Sequence, residues 1–215
     1  MGTRKTVRIG VFMPSECQLL DTACIDVFSM MGYGYLSVIP FLPKHVSELA
    51  PEVWIAYVGT TAPGTLTPLT AGVKTPITHH LSDPEVAPGK LDIVLVPGPA
   101  PDGKWSEDVL DWLRAQMAIK TTDCLSVCTG IYLFGEAGLL KGKKACGPRG
   151  LQDDVSKKYP DVTLLGHELR WIQDGNFWSS GMFLLTLPLH SMSTSHGNMA
   201  MLAGHGPLTF VQESN

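Results

Sequence analysis

The chain has 215 residues, 44% hydrophobic and 17% charged, which is enough for one substantial globular domain with a real core. Its net charge is −4 and its longest basic cluster is the four-residue Lys141–Lys144, so we expect no nucleic-acid surface. No apolar run reaches the roughly 18 residues of a transmembrane helix, and the five cysteines fit neither a zinc site nor a disulfide framework, so we expect a reduced, cytoplasmic protein without membrane contacts.

The first half of the chain alternates predicted strands and helices. Apolar runs rich in β-forming residues predict buried strands at Val7–Met13 and Val53–Val58. Between them, apolar residues recur at steps of three and four from Leu20 to Met31, which predicts a helix with one apolar face. A stretch rich in Thr, Pro and Gly follows, and its alternating pieces Thr65–Leu69 and Val73–Ile77 predict a hairpin appended to the main sheet.

The second half continues the alternation. Leu91–Val96 predicts a buried strand, and Ser106 is placed to cap a helix that runs to Ile119. Cys124–Val127 predicts the next strand, and Thr129–Ala137 the next helix. Three shorter elements are predicted after these: a helix at Gly150–Lys158 and strands at Val162–Leu165 and Leu169–Ile172.

The order of these elements predicts the fold class. Strands that are apolar on both faces and alternate with helices are typical of a parallel sheet covered on both sides. We therefore expect an α/β, flavodoxin-like, doubly wound, mostly parallel sheet with helices on both faces. The pattern gives one domain over residues 7–181.

Residues 182–215 differ from the rest in composition. Their only charged side chain is Glu213, and they show neither a helical stripe nor regular alternation, so we expect an atypical C-terminal tail, irregular or poorly packed. The tail holds His190, His196 and His205. Their spacings fit no standard ligand pattern, so we expect no metal site there.

Cys128 is the first candidate for chemistry. It follows a predicted buried strand and precedes a predicted helix, in the stretch LSVCTG. A strand-to-helix turn of this kind is where a nucleophile elbow projects its side chain. The helix N-terminus favours a thiolate, so we expect an activated thiol, although a buried structural cysteine also fits the pattern.

Asp21 is the second candidate. It lies near the start of the first predicted helix, which follows the first strand, so it should lie at the same sheet edge as Cys128. There a carboxylate can donate or accept a proton during reaction at the thiol. Asp at a helix start is also a routine N-cap, and the pattern alone leaves both interpretations open.

Three motifs give the chain a resemblance to a known family. They are Ser126–Gly130 (SVCTG), Ala137–Lys143 (AGLLKGK) and Gln18–Asp21 (QLLD). With the flanking strands they resemble the DJ-1/PfpI superfamily over about residues 7–181. A Thr after the cysteine and an Asp in the first helix are similar to the isonitrile hydratase branch.

The resemblance implies a reaction without a cofactor or metal. Cys128 would attack the terminal carbon of an isonitrile, Asp21 would manage the protons, and Thr129 would steady the thiol or the acid. A covalent thioimidate would then be hydrolysed to an N-substituted formamide. Because Thr129 stands where peptidase-like members carry His, Cys-His peptidase chemistry is not expected.

The same resemblance points to backbone groups that bind the substrate. Family members usually have two glycines after the Leu91–Val96 strand, whereas this chain has Gly98 and Pro99. Proline has no N–H, so the donor would come from Gly98 or Ala100.

Other functions remain open at this point. A glyoxalase or deglycase of the DJ-1 type would use the same cysteine, and a non-catalytic ligand or redox sensor would use the same fold. Such domains occur fused to DNA-binding helices, but no such segment is recognised here, so we expect no DNA binding. The resemblance further implies a homodimer acting on a small-molecule isonitrile, with a possible link to isonitrile secondary metabolism.

Overall fold

A computed structural model of the protein describes residues 4–181. Its strands in this range are β1 Thr6–Phe12, β2 Glu52–Gly59, β3 Leu66–Pro68, β4 Lys74–Pro76, β5 His79–His80, β6 Ile93–Val96, β7 Asp123–Val127, β8 Lys144–Ala145, β9 Thr163–Leu164, β10 Trp171–Asp174 and β11 Phe177–Ser180. Its α-helices are α1 Leu19–Met30, α2 Tyr33–Leu36, α3 Lys44–Ser47, α4 Glu107–Ala118, α5 Gly130–Glu136 and α6 Gln152–Lys158.

Seven of the strands form the central sheet. Their order is β10-β11-β7-β6-β1-β2-β5, and every neighbouring pair is parallel except β10 with β11, which form an antiparallel hairpin. The four strands β11, β7, β6 and β1 are largely buried, as expected for strands that are covered on both faces.

Each face of the sheet has its own core. On one face, Val109 and Leu113 of α4, Ile131 of α5 and Val155 of α6 pack with the sheet. The other face packs against α1, which contributes Ile25 and Phe28 among others. Helices therefore cover both faces, and the predicted doubly wound, mostly parallel α/β class is confirmed.

Some local predictions differ from the structure. The predicted strand Val162–Leu165 is found only as β9, and it pairs with β8 in a separate two-stranded sheet. The predicted hairpin is present as β3 and β4, but these pair with each other outside the main sheet. The predicted tail, residues 182–215 with its three histidines, lies outside the described residues.

The topology brings three connections to one edge of the sheet. Because β1, β6 and β7 are parallel, their carboxyl ends meet there. Asp21 follows β1, Gly98 follows β6 and Cys128 follows β7. In open α/β sheets ligands bind at this edge.

Candidate active site

Cys128 lies on a sharp turn between β7 and α5. Its φ is 55°, in the left-handed region that residues with a side chain rarely adopt. Its N–H donates to the carbonyl of Ser180 at 3.0 Å, which ties the turn to β11. At Gly130 a Cβ would lie 2.5 Å from the carbonyl oxygen of Val96, so glycine is needed for α5 to begin this close to β6. The turn therefore has the strained strand-to-helix geometry of a nucleophile elbow.

Asp21 lies in the first turn of α1 and is 1% exposed. Its Oδ2 accepts a hydrogen bond from the N–H of Gly98 at 3.1 Å, and its carboxylate interacts with the thiol of Cys128. Burial raises the pKa of Asp21 to about 6, although the Gly98 N–H and the Cys128 thiol both act to lower it. A carboxyl group with this pKa can exchange a proton near neutral pH.

The electrostatics of Cys128 oppose the expected thiolate. Burial raises the pKa of the Cys128 thiol to about 11, and the negative charge of Asp21 acts in the same direction. The backbone N–H and the hydroxyl of Thr129 lower the pKa, but they do not offset burial and the carboxylate. Burial and the Asp21 carboxylate thus favour the protonated thiol, in the opposite direction to the expected effect of the helix N-terminus.

Thr129 connects the elbow to the turn after β6. It is 4% exposed, and its Oγ1 donates to the carbonyl of Pro99 at 2.7 Å. The same side chain also interacts with Cys128. Thr129 thus contacts both the thiol and the turn after β6.

Gly98 lies between the acid and the elbow. A Cβ at this position would overlap Oδ2 of Asp21 and Oγ1 of Thr129. Glycine is therefore required at position 98 for these two side chains to lie where they do. Its N–H is engaged by Asp21, so it holds the acid and is not a free donor for a substrate. Ala100 is exposed, two residues further on.

The neighbouring cysteines have packing roles. Cys17 is buried in the core beneath α1, and Cys24 donates through Sγ to the carbonyl of Asp21 at 2.9 Å. Burial, with a smaller contribution from the charge of Asp21, raises the pKa of each thiol to about 12. Neither thiol lies on the strand-to-helix elbow that carries Cys128.

Two searches of the described chain gave negative results. Between residues 4 and 181, the His, Cys, Asp and Glu side chains form no group of three or more that could hold a metal ion. None of the helices in that range has the length and apolar character needed to cross a membrane.

The structure thus brings Cys128, Asp21, Thr129 and Gly98 together, from residues that lie as far as 108 positions apart. It also reveals Thr70, which sequence reasoning missed. The hydroxyl of Thr70 accepts a hydrogen bond from the N–H of Leu19 at the start of α1. Nothing in the local sequence around Thr70 indicates this contact.

This combination of fold and elbow agrees with a sequence match. The chain belongs to the DJ-1/PfpI family, whose sequence model matches residues 50–183. That range contains Gly98, Cys128 and Thr129, whereas Asp21 precedes it.

Two characterised relatives are similar over shorter stretches. The chain is 37% identical to an isonitrile hydratase of Pseudomonas putida over 93 residues, which is 42% of this chain and 39% of that protein. It is 34% identical to the HTH-type transcriptional regulator ArgR of Pseudomonas aeruginosa over 79 residues, which is 37% of this chain and 23% of that protein. Each match spans less than half the length of the relative.

Solved structures show the same fold at low identity. A DJ-1 superfamily protein of Salmonella typhimurium superposes with a TM-score of 0.62 at 14% identity, covering 91% of this chain and 92% of that one. An AraC family transcriptional regulator of Pseudomonas putida superposes with a TM-score of 0.64 at 13% identity, covering 92% and 97%. Both enzymes and regulators thus appear among the proteins that this chain resembles.

Proposed function

We propose that this protein is an isonitrile hydratase, which adds water to R–N≡C and releases an N-substituted formamide. The observation that carries the proposal is the contact between the Cys128 thiol, on its strained elbow, and the buried Asp21 carboxylate. The match to the isonitrile hydratase of Pseudomonas putida supports the substrate class.

In the first step the S–H bond of Cys128 adds across the terminal carbon of the isonitrile. The sulfur forms the new C–S bond, and the thiol proton passes by way of Asp21 to the same carbon, giving Cys–S–CH=N–R. Because the thiol is protonated at rest and Asp21 has a pKa of about 6, the carboxylate can take the proton as sulfur attacks. The N–H and hydroxyl of Thr129 stabilise the developing charge on sulfur.

In the second step water attacks the carbon of the thioimidate. Asp21 accepts a proton from the water and passes it to the nitrogen as the C–O bond forms, giving Cys–S–CH(OH)–NH–R. The C–S bond then breaks, and the thiol of Cys128 recovers its proton as the formamide H–CO–NH–R leaves. All atoms of the isonitrile and of one water are in the product, so no cofactor is consumed.

The direct test is to incubate the protein with cyclohexyl isocyanide and to measure the formamide by mass spectrometry. Cys128→Ala should abolish turnover, and Asp21→Asn should reduce it by about 100-fold or more. The thioimidate should be visible as a mass adduct on Cys128. Turnover that survives Cys128→Ala would overturn the mechanism.

The alternatives have distinct outcomes in the same assay. Loss of methylglyoxal without isonitrile hydration would favour a glyoxalase or deglycase. A protein that acts on neither substrate would favour the hypothesis of a ligand or redox sensor. The match to a transcriptional regulator also supports that hypothesis. Isonitriles made by secondary metabolism are the natural substrates to test next.

We also propose a homodimer, as the family resemblance implies. Exposed apolar side chains on the segment between α1 and β2 offer surface for association, with Val38 72% and Phe41 87% exposed. Size-exclusion chromatography with light scattering tests this, and a monomer at all concentrations would contradict it.

A further inference from the structure

Helix α1, which carries Asp21, begins without a cap from its own residues. Gln18 occupies the N-cap position, and its side chain makes no capping hydrogen bond. The N–H of Leu19 instead donates to Oγ1 of Thr70 at 3.0 Å, across 51 positions of sequence. The first N–H groups of a helix have no partner within it, so side-chain oxygens at this place stabilise the helix start.

The contact between Thr70 and the helix start is reciprocal. The N–H of Thr70 donates to the carbonyl of Cys17 at 3.2 Å, so the hairpin both accepts from and donates to the turn that leads into α1. Leu69 forms a bridge with Cys17 and is buried at 4% exposure, which anchors the hairpin beside that turn. A hydroxyl from a different element thus takes the place of an N-cap side chain at the start of α1.

The backbone next to Thr70 is strained. Within residues 4–181, the non-glycine residues with positive φ are Ala71, at 63°, and Cys128, at 55°. An alanine in the left-handed region is unfavourable by about 1 kcal/mol or more. Such a conformation persists when surrounding contacts require it, and here it lies directly beside the residue that contacts α1.

On its other side, the turn is held by the strand connection that binds the acid. Cys17 also forms a bridge with Pro99, and the N–H of Gln18 donates to the carbonyl of Gly98 at 3.0 Å. The N–H of Gly98 in turn donates to Asp21. The start of α1 is therefore fixed from two sides, and Asp21 lies two residues further on, in the first turn of the helix.

We propose that Thr70 is a positioning residue that caps α1 from the β3–β4 hairpin and thereby holds Asp21 against Cys128. The assignment rests on the proposed pairing of Asp21 with Cys128, but it can be tested without any isonitrile. Without the Thr70 hydroxyl, the first turn of α1 loosens and the carboxylate moves away from the thiol. The thiol then loses the neighbouring negative charge that opposes its ionisation.

The test is the pH dependence of Cys128 alkylation by iodoacetamide, followed by mass spectrometry of the peptide that contains Cys128. In Thr70→Val the alkylation profile should shift to lower pH by about one unit, because withdrawing a carboxylate lowers the pKa of a thiol. Thr70→Ser keeps the hydroxyl and should match the wild type. The matched control is Thr65→Val, at an exposed position immediately before β3 of the same hairpin.

Two further variants make the result decisive. Thr70→Ala should shift the profile in the same direction as Thr70→Val, which keeps the test valid if valine disturbs folding. In an Asp21→Asn background, Thr70→Val should add no further shift, because the charge is already gone. An unchanged profile in folded Thr70→Val and Thr70→Ala would overturn the proposal, and so would an equal shift in Thr70→Ser.

The outcome separates this proposal from the reaction proposed above. If the wild type does not hydrate isonitriles but Thr70→Val shifts the profile, the positioning role stands and the assigned reaction fails. If isonitriles are hydrated and the profile never shifts, the reaction stands and the positioning role fails.

Discussion

Cys128 and Asp21 meet at one point, but the two regions that supply them are held in different ways. The elbow is one continuous stretch, in which all five residues of β7 are buried between β6 and β11. Asp21 lies where three separate segments meet: its carboxylate accepts from the N–H of Gly98, and the N–H of Leu19, at the start of its helix, donates to the hydroxyl of Thr70. The buried core thus fixes the position of Cys128, whereas a few loop contacts fix the position of Asp21. We therefore expect a substitution to displace Asp21 before it unfolds the protein.

The largest expected effect is on the elbow side of this comparison. Gly130→Ala should lower the free energy of unfolding by about 3 kcal/mol, because the new Cβ would meet the backbone of Val96, which cannot move aside. Urea denaturation measures it. The matched control is Gly138→Ala. Gly138 has a φ of 72° and open space where a Cβ would lie, so this variant should lose only about 1 kcal/mol of unfolding free energy. Equal losses would contradict the prediction.

A glycine-to-alanine substitution beside Asp21, at Gly98, should affect activity more than stability. In Gly98→Ala the two closest atoms to the Cβ are side-chain atoms of Asp21 and Thr129, and the nearest backbone atom, the N of Thr129, is 3.1 Å away, compared with 2.5 Å for the Val96 oxygen at Gly130. We therefore expect a smaller loss of unfolding free energy, about 2 kcal/mol, with isonitrile turnover reduced by about 100-fold as the acid is displaced. A variant as unstable as Gly130→Ala would mean that both regions are equally rigid.

Ionisation of Asp21 should make the acid side sensitive to pH. The pKa of Asp21 rises from 3.8 to about 6 on folding, so the folded state favours its protonated form. The contribution of this group to the free energy of unfolding is fully present below about pH 4 and is lost as the pH rises through 6. Between these values the wild-type unfolding free energy should fall by roughly 1–2 kcal/mol relative to Asp21→Asn. Asp26→Asn, at an exposed position on the same helix, should leave the wild-type dependence intact. If the unfolding free energies of wild type and Asp21→Asn changed in parallel with pH, the pKa of Asp21 would not be raised by folding.

The smallest effect is expected at the strained residue beside Thr70. Ala71→Gly relieves the left-handed φ but adds freedom to the unfolded chain, so the unfolding free energy should stay within about 0.5 kcal/mol of wild type. The alkylation profile of Cys128 should not change, because Thr70 still reaches α1. A shifted profile would show that the strain at Ala71, and not only the hydroxyl, sets the position of the acid.

Most of the sheet was predictable because buried parallel strands leave a clear signal. The run Val7–Met13 corresponds to β1, and Cys124–Val127 corresponds to β7, each within one residue at either end. The one-turn helices α2 and α3 were not predicted. Each has only four residues, about one turn, which is too short to show the apolar periodicity from which a helix is predicted.

The site was predictable in part for the same reason. Topology alone places Asp21 and Cys128 at one edge of the sheet, since both follow parallel strands. The protonation state of Cys128 was not predictable, because it depends on burial and on the distance to a carboxylate, which sequence does not give. Thr70 was not predictable either, since its partner is distant in the chain and the contact follows no local pattern.

The left-handed backbone at Cys128 constrains how this position can evolve. If selection for the nucleophile were relaxed, the residues best tolerated there would be Gly, Asn and Asp, because they adopt positive φ most readily. Val, Ile and Thr would be removed first, as β-branched side chains fit that backbone worst. A saturation library at this codon, sorted for folded protein, should therefore be enriched in the first group, and relatives that have lost the thiol should carry the same residues.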